Sequence, residues 1–173
     1  MSFVRTASSI VATLVIALLL GGNVHAADVS MASGSISFST PDNWLDIMQT
    51  EDPEVRVFQV PDPSPTGKSS LARVTVTVKQ VSDAGGFQQY MGDANAKAMA
   101  LPGYKAAAVA PSPNSYIYTA QENGTQFSYS ERYWLKDGHA IQLRCVRPEQ
   151  SEAGAAWKAA FDKGCDGIAA RLK

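Results

Sequence analysis

The stretch NSYIYTAQENGTQFSYSERYWLKDGHAIQLRCVR, residues 114–147, decides the fold. It holds two dipeptides, Asn123-Gly124 and Asp137-Gly138, of the kind that close two-residue hairpins, because type I′ turns need positive φ at both central positions. They divide the stretch into three strands of an antiparallel meander. With both turns tight, register follows by counting outward from each. Glu122 then faces Thr125, Tyr118 faces Tyr129, Lys136 faces His139, Trp134 faces Ile141 and Glu131 faces Arg144. Side chains alternate between the two faces of a sheet. One face therefore carries Ile117, Trp134, Ile141, Leu143 and Cys145. The other carries Tyr116, Tyr118, Phe127, Tyr129, Tyr133 and Leu135, with Glu131 and Arg144 as a cross-strand pair.

Downstream, Pro148 breaks the last strand and Ser151 offers a helix cap. Residues 152–172 read as a helix in which Trp157, Phe161, Cys165, Ile168 and Leu172 form one apolar stripe. Upstream, residues 35–39, 45–49 and 54–60 read as short strands, separated by the Thr40-Pro41-Asp42-Asn43 turn and by Glu51-Asp52-Pro53. Residues 61–67, with three prolines, read as an exposed loop. Residues 71–81 carry Val74, Val76 and Val78 in strict alternation with threonines, a period-two strand signal. After a Ser82-Asp83 cap, residues 87–100 read as a helix with Phe87, Tyr90, Met91, Ala94, Ala98 and Met99 near helical spacing. Residues 104–110 read as a weak strand, and residues 27–34 as a loose lead-in. The fold class is α+β: an antiparallel sheet with helices packed on both faces.

Residues 1–26 carry the pattern of a cleaved signal peptide: Arg5, an apolar run over residues 10–20, and small residues at Val24-His25-Ala26. The run is short for a membrane span of about 20 residues; an uncleaved anchor is the alternative. Residues 27–173 then form one domain, of net charge −2 (14 basic against 16 acidic), with His139 its single histidine. The expected location is periplasmic or secreted, with no stable membrane anchor after cleavage. In that oxidising setting Cys145 and Cys165 read as a disulfide. Two buried free thiols are the alternative, and one histidine is too few to complete a metal site. If the two cysteines pair, the helix stripe covers the Ile141, Leu143 and Cys145 face.

A near-neutral charge gives no footprint for nucleic acid. No G-x-S-x-G elbow is present, and Gly67-Lys68-Ser69-Ser70 lacks the upstream glycine of a phosphate loop. His139 follows a turn glycine and reads as solvated. Asp42, Asp46, Glu51, Asp52 and Glu54 cluster in a turn-rich segment, where acids ordinarily serve as solvated turn formers. No metal and no cofactor are expected. The feature with functional promise is the tyrosine face: Tyr116, Tyr118, Tyr129 and Tyr133 bring aromatic area and hydroxyls beside Glu131 and Arg144, residue types enriched at interfaces. The alternative is that the helix over residues 87–100 packs on this face and buries it.

The segment Ile36-Ser37-Phe38-Ser39-Thr40-Pro41-Asp42-Asn43-Trp44, a strand running into a P-x-x-W turn, resembles the opening of the PsbP/DcrB/Mog-like fold. The hairpin over residues 129–147 and the helix over residues 157–172 correspond to its closing part. The resemblance implies an antiparallel sheet between helices and a mostly noncatalytic set of relatives, with no catalytic residues to carry over. The expectation is an exported, noncatalytic module that binds a protein or peptide through its sheet, in an accessory, chaperone or immunity-type role. The alternatives are a small-ligand carrier, with its pocket beside the helix over residues 87–100, and a hydrolase using the acids at residues 42–54.

Overall fold

A computed structural model describes residues 27–109 and 112–173; the leader expected over residues 1–26 lies outside them. Strands β1 (Ala27–Met31) and β2 (Ile36–Thr40) form a two-stranded antiparallel sheet. Then follow β3 (Leu45–Glu51), β4 (Glu54–Gln59), a one-turn helix α1 (Thr66–Ser69), β5 (Arg73–Gln80) and α2 (Ala84–Met99). The short β6 (Lys105–Ala106), the meander β7 (Ser115–Glu122), β8 (Thr125–Lys136) and β9 (His139–Pro148), and the helix α3 (Gly154–Leu172) complete the chain. The main sheet has seven antiparallel strands in the order β3-β4-β5-β9-β8-β7-β6. With α2 on one face and α3 on the other, the architecture is the α+β sandwich read from the sequence.

The counted register of the meander is the observed one: Tyr118 opposite Tyr129, Glu131 opposite Arg144, Trp134 opposite Ile141. Both turns carry positive φ at Asn123-Gly124 and Asp137-Gly138, as two-residue hairpins require. The valines of β5 continue the same faces outward, because Val74, Val76 and Val78 lie opposite Cys145, Leu143 and Ile141. These six side chains, with Phe161, Cys165, Ile168 and Leu172 of α3, belong to the larger core, which β1, β2 and β4 also enter. Cys145 and Cys165 are joined, with Cα atoms 6.5 Å apart, so the last strand is clamped to the last helix. Trp44, from the P-x-x-W turn, stacks on Phe161 at 6.1 Å between ring centroids. Gly164 allows this approach, since a Cβ there would fall 2.5 Å from Trp44 Cζ2.

Several local readings differ from the structure. Residues 27–31 are a strand, not a loose lead-in: Val29 and Met31, two residues apart, both point into the larger core and are buried. The polar composition around them masks that short alternation. The loop at residues 61–67 runs into α1, where Ser64, Pro65 and Thr66 carbonyls accept the turn's backbone bonds. Of the weak strand at residues 104–110, the last of which lies outside the described residues, Lys105–Ala106 forms the strand found among those described, because small alanine side chains add little cross-strand packing. Finally, Ser151 does not cap α3. Its hydroxyl donates to Asp62 and accepts from Ala153 N at 3.0 Å, and the helix starts after Ala153.

The Ser82-Asp83 cap is observed, with the Asp83 side chain accepting from Gly86 N at 2.9 Å, and α2 begins directly after it at Ala84, three residues before the expected start at residue 87. Its buried positions, Phe87, Met91, Ala94 and Ala98, form a narrow stripe. Met99 of the expected stripe is exposed. This stripe lies on the tyrosine face of β7, β8 and β9.

Candidate functional site

The register builds the tyrosine face in rows that run straight across the sheet. One row is Val57, Thr75, Arg144, Glu131 and Tyr116; the next is Val55, Thr77, Gln142 and Tyr133. At their centre lies Glu131, 0% exposed. A buried carboxylate is tolerable only with charge and hydrogen-bond partners. Glu131 has four. Its Oε1 accepts from the Tyr118 hydroxyl at 2.6 Å and from Arg144 Nε at 2.7 Å. Its Oε2 accepts from the Tyr133 hydroxyl and from Gln142 Nε2 at 2.9 Å. Tyr90 of α2 closes the network by donating to Gln142 Oε1 at 2.9 Å.

Burial pushes the Tyr118 and Tyr133 hydroxyls up, and the Glu131 charge adds to the effect, so both stay protonated donors far above neutral pH. Tyr90 is pushed up to about 12, mainly by burial. For Arg144, burial alone would lower the pKa. The Glu131 carboxylate and the neighbouring tyrosines outweigh it and raise it.

A second carboxylate, Glu122 at the β7–β8 turn, accepts from Arg73 Nη1 at 3.0 Å, from Arg73 Nη2 and from the Tyr129 hydroxyl. Burial would raise its pKa, but the Arg73 and Tyr129 hydrogen bonds prevail and hold it below the usual carboxylate range. A carboxylate depressed in the folded state contributes stability that is present above its unfolded pKa and lost as pH falls through the folded one. Glu122→Gln should therefore lose less stability than the parent chain between roughly pH 5 and pH 3. Urea unfolding at a series of pH values measures it, and parallel curves would show that Glu122 carries none of the acid sensitivity.

The structure thus places the six residues singled out in the sequence together, but beneath α2. Tyr118, Tyr129, Tyr133 and Glu131 are buried, Tyr116 is half-buried, and only Arg144 keeps substantial access, at 35% of its side chain. The open tyrosine surface expected as one alternative is replaced by a covered one, because α2 must bury its own stripe and this face receives it. Tyr118 stacks on Tyr129 at 4.6 Å, and Tyr90 and Tyr116 meet Tyr133 edge-on. Counting missed Gln142, the fourth donor to Glu131, although the same count sets it opposite Tyr133.

The acids at residues 42–54 are partly committed elsewhere. Asp46 pairs with Arg56, and Glu54 Oε2 accepts from Ala32 N at 2.6 Å. His139 is half-buried, not freely solvated, and its Nδ1 is enclosed without a partner among the described residues. Among the described residues no helix is long and apolar enough to cross a membrane. Nor do any three His, Cys, Asp or Glu side chains there converge as a metal site.

Exposed apolar side chains concentrate on the free edge strand. Leu45, Ile47 and Met48 of β3 are 53%, 46% and 53% exposed. Leu45 and Met48 share the α2 side of the sheet, and Ile47 is the extra residue of a bulge between Asp46 and Met48.

Among solved structures, the chain is similar in fold to LpqN, a protein involved in cell envelope biogenesis of Mycobacterium tuberculosis. The TM-score is 0.52 and the identity 14%, over 83% of this chain and 87% of that one. No family model and no curated protein matches the chain.

Proposed function

We propose that this chain is an exported, noncatalytic module of the cell envelope that takes up an extended peptide segment along β3, on a PsbP/DcrB-like scaffold. The carrying observation is the β3 edge. It ends the seven-stranded sheet, so one row of its backbone groups has no neighbouring strand among the described residues. Natural edges are blunted by lysines, prolines, bulges or covering elements. The β3 sequence LDIMQTE has neither lysine nor proline, and every residue in it is exposed. It keeps one bulge and displays three large apolar side chains. Such an edge accepts a peptide by strand addition: main-chain bonds supply affinity and alternate side chains supply specificity. At its end lie Glu51 and Asp52, for which no basic partner exists among the described residues. The partner segment is therefore extended and apolar, with a lysine or arginine at the end that meets the β3–β4 turn.

Three further observations support parts of this reading. Glu131 is saturated by its four donors, which suits a structural carboxylate better than a reacting one. The disulfide suits an oxidising compartment. The fold neighbour LpqN is involved in cell envelope biogenesis.

Peptides selected from a displayed random library should show alternating apolar positions beside a basic residue. Ile47→Lys with Met48→Lys should weaken them by roughly tenfold or more, as charge on an edge strand opposes pairing. Selected peptides that bind the double variant equally well would remove the edge from consideration. A dimer that the same variant dissolves would make a second copy the occupant, against the peptide reading.

A further inference from the structure

Helix α2 packs its buried stripe over β7, β8 and β9 and touches β5 through Tyr90, whose ring lies beside Lys79, while the cross-sheet rows continue onto β5 and β4. Between the helix and those strands lies a groove of about 430 Å³. Arg144, Gln142, Thr77 and Val55 line it from the sheet, and Tyr90, Ala94 and Lys97 from the helix, with Lys79 and Asp93 also at its margin. Pro53 of the β3–β4 turn borders it, but no residue of β3 does, so substitutions at Ile47 and Met48 test the edge strand and those at Lys79, Lys97 and Arg144 test this groove.

Arg144 is the informative member. It spends Nε on Glu131, and no described residue accepts from its two Nη groups. The Nη pair forms a planar fork whose spacing matches the two oxygens of a carboxylate. That fork sits at the junction of a buried network and an accessible groove, where water competes less and a charge-assisted bond gains strength. Charge narrows the ligand further. Arg144, Lys79 and Lys97 give three positive charges, and Glu131 and Asp93 give two negative ones, which leaves one net positive charge. One net charge balances a monoanion, and Asp93 opposes a second negative charge. Lys79 Nζ lies 5.7 Å from the Tyr90 ring centroid, which holds its ammonium beside the groove. Val55, Ala94 and the Tyr90 ring supply apolar wall.

The geometry points to a binding site for a small monocarboxylate with an apolar body. The carboxylate sits on the Arg144 Nη pair, the two lysines attract it, and the body lies along Val55, Ala94 and Tyr90.

Octanoate is the probe, read by amide chemical shifts of the folded chain at neutral pH, with octanol and inorganic phosphate alongside. Octanoate should shift Thr77, Lys79, Lys97 and Arg144 saturably, and neither octanol nor phosphate should do so at the same concentration. Lys79→Gln with Lys97→Gln should weaken octanoate roughly fivefold, the combined effect of two exposed charges. Arg144→Gln should abolish the shifts. If that variant does not fold, the lysine pair alone decides, because both side chains lie outside the Glu131 network. Absence of saturable shifts, equal binding of octanol, preferred binding of phosphate, or indifference to the lysine pair would each overturn the assignment.

Discussion

Glu131→Ala is expected to cost about 3–5 kcal/mol, the range for removing one partner of a buried charge pair. The carboxylate occupies the centre of the Tyr118, Tyr133, Gln142 and Arg144 donors; its loss strands the two tyrosine hydroxyls, while Gln142 Nε2 keeps the Tyr133 oxygen as acceptor at 2.9 Å. Arg144 has some relief, because its Nη groups already reach the groove. Tyr118 and Tyr133 have none, being buried under α2 with hydroxyls that do not ionise in the accessible range. Each stranded donor costs about 1–3 kcal/mol. Tyr118→Phe and Tyr133→Phe remove a donor and leave the carboxylate three others, so each should cost only about 1 kcal/mol. The ordering, with Glu131→Ala far above either phenylalanine variant, is the diagnostic result in urea unfolding. A loss below about 1 kcal/mol for Glu131→Ala would mean that the network does not hold α2 to the sheet. The same result bears on function. Any loss of binding in alanine variants at Tyr118, Tyr129 or Tyr133 has to be compared with their loss of fold before it is assigned to recognition.

The second large effect belongs to the Cys145–Cys165 bridge. It closes a loop of sequence separation 20, worth about 3 kcal/mol in the chain-entropy account. The paired Cys145→Ala and Cys165→Ala variant should lose about that much, and a little more for the sulfur volume removed from the larger core. Thiol counting under denaturing, nonreducing conditions supplies the matching chemical result, with no free thiol in the parent chain. Two free thiols, or a double variant as stable as its parent, would remove the bridge from the account of how α3 is held.

Much of this fold was legible because its central part is local. Asn123-Gly124 and Asp137-Gly138 accept only one kind of tight turn. Once the turns are placed, pairings such as Glu131 with Arg144 follow from counting. The stripe on α3 and the cysteine inside it gave the helix its face by a second, independent route. Residues 27–31 were misread because two buried side chains, Val29 and Met31, are too few to outweigh a polar surrounding. The exposure of β3 was not legible at all. Leu45, Ile47 and Met48 read as ordinary strand residues, and only the sheet order makes that strand an edge.

By itself, then, the amino-acid sequence determined the meander, its register, its two faces and the pairing of Glu131 with Arg144. Turn geometry and side-chain alternation act between near neighbours and require no knowledge of the rest of the chain. Only the tertiary structure decided that the tyrosine face is an interior, that β5 lies beside β9, and that Arg144 opens onto a groove with Lys79 and Lys97. Those outcomes depend on where α2 settles and on contacts between residues far apart in the chain. The burial that selects among them belongs to the assembled layers, not to any one segment.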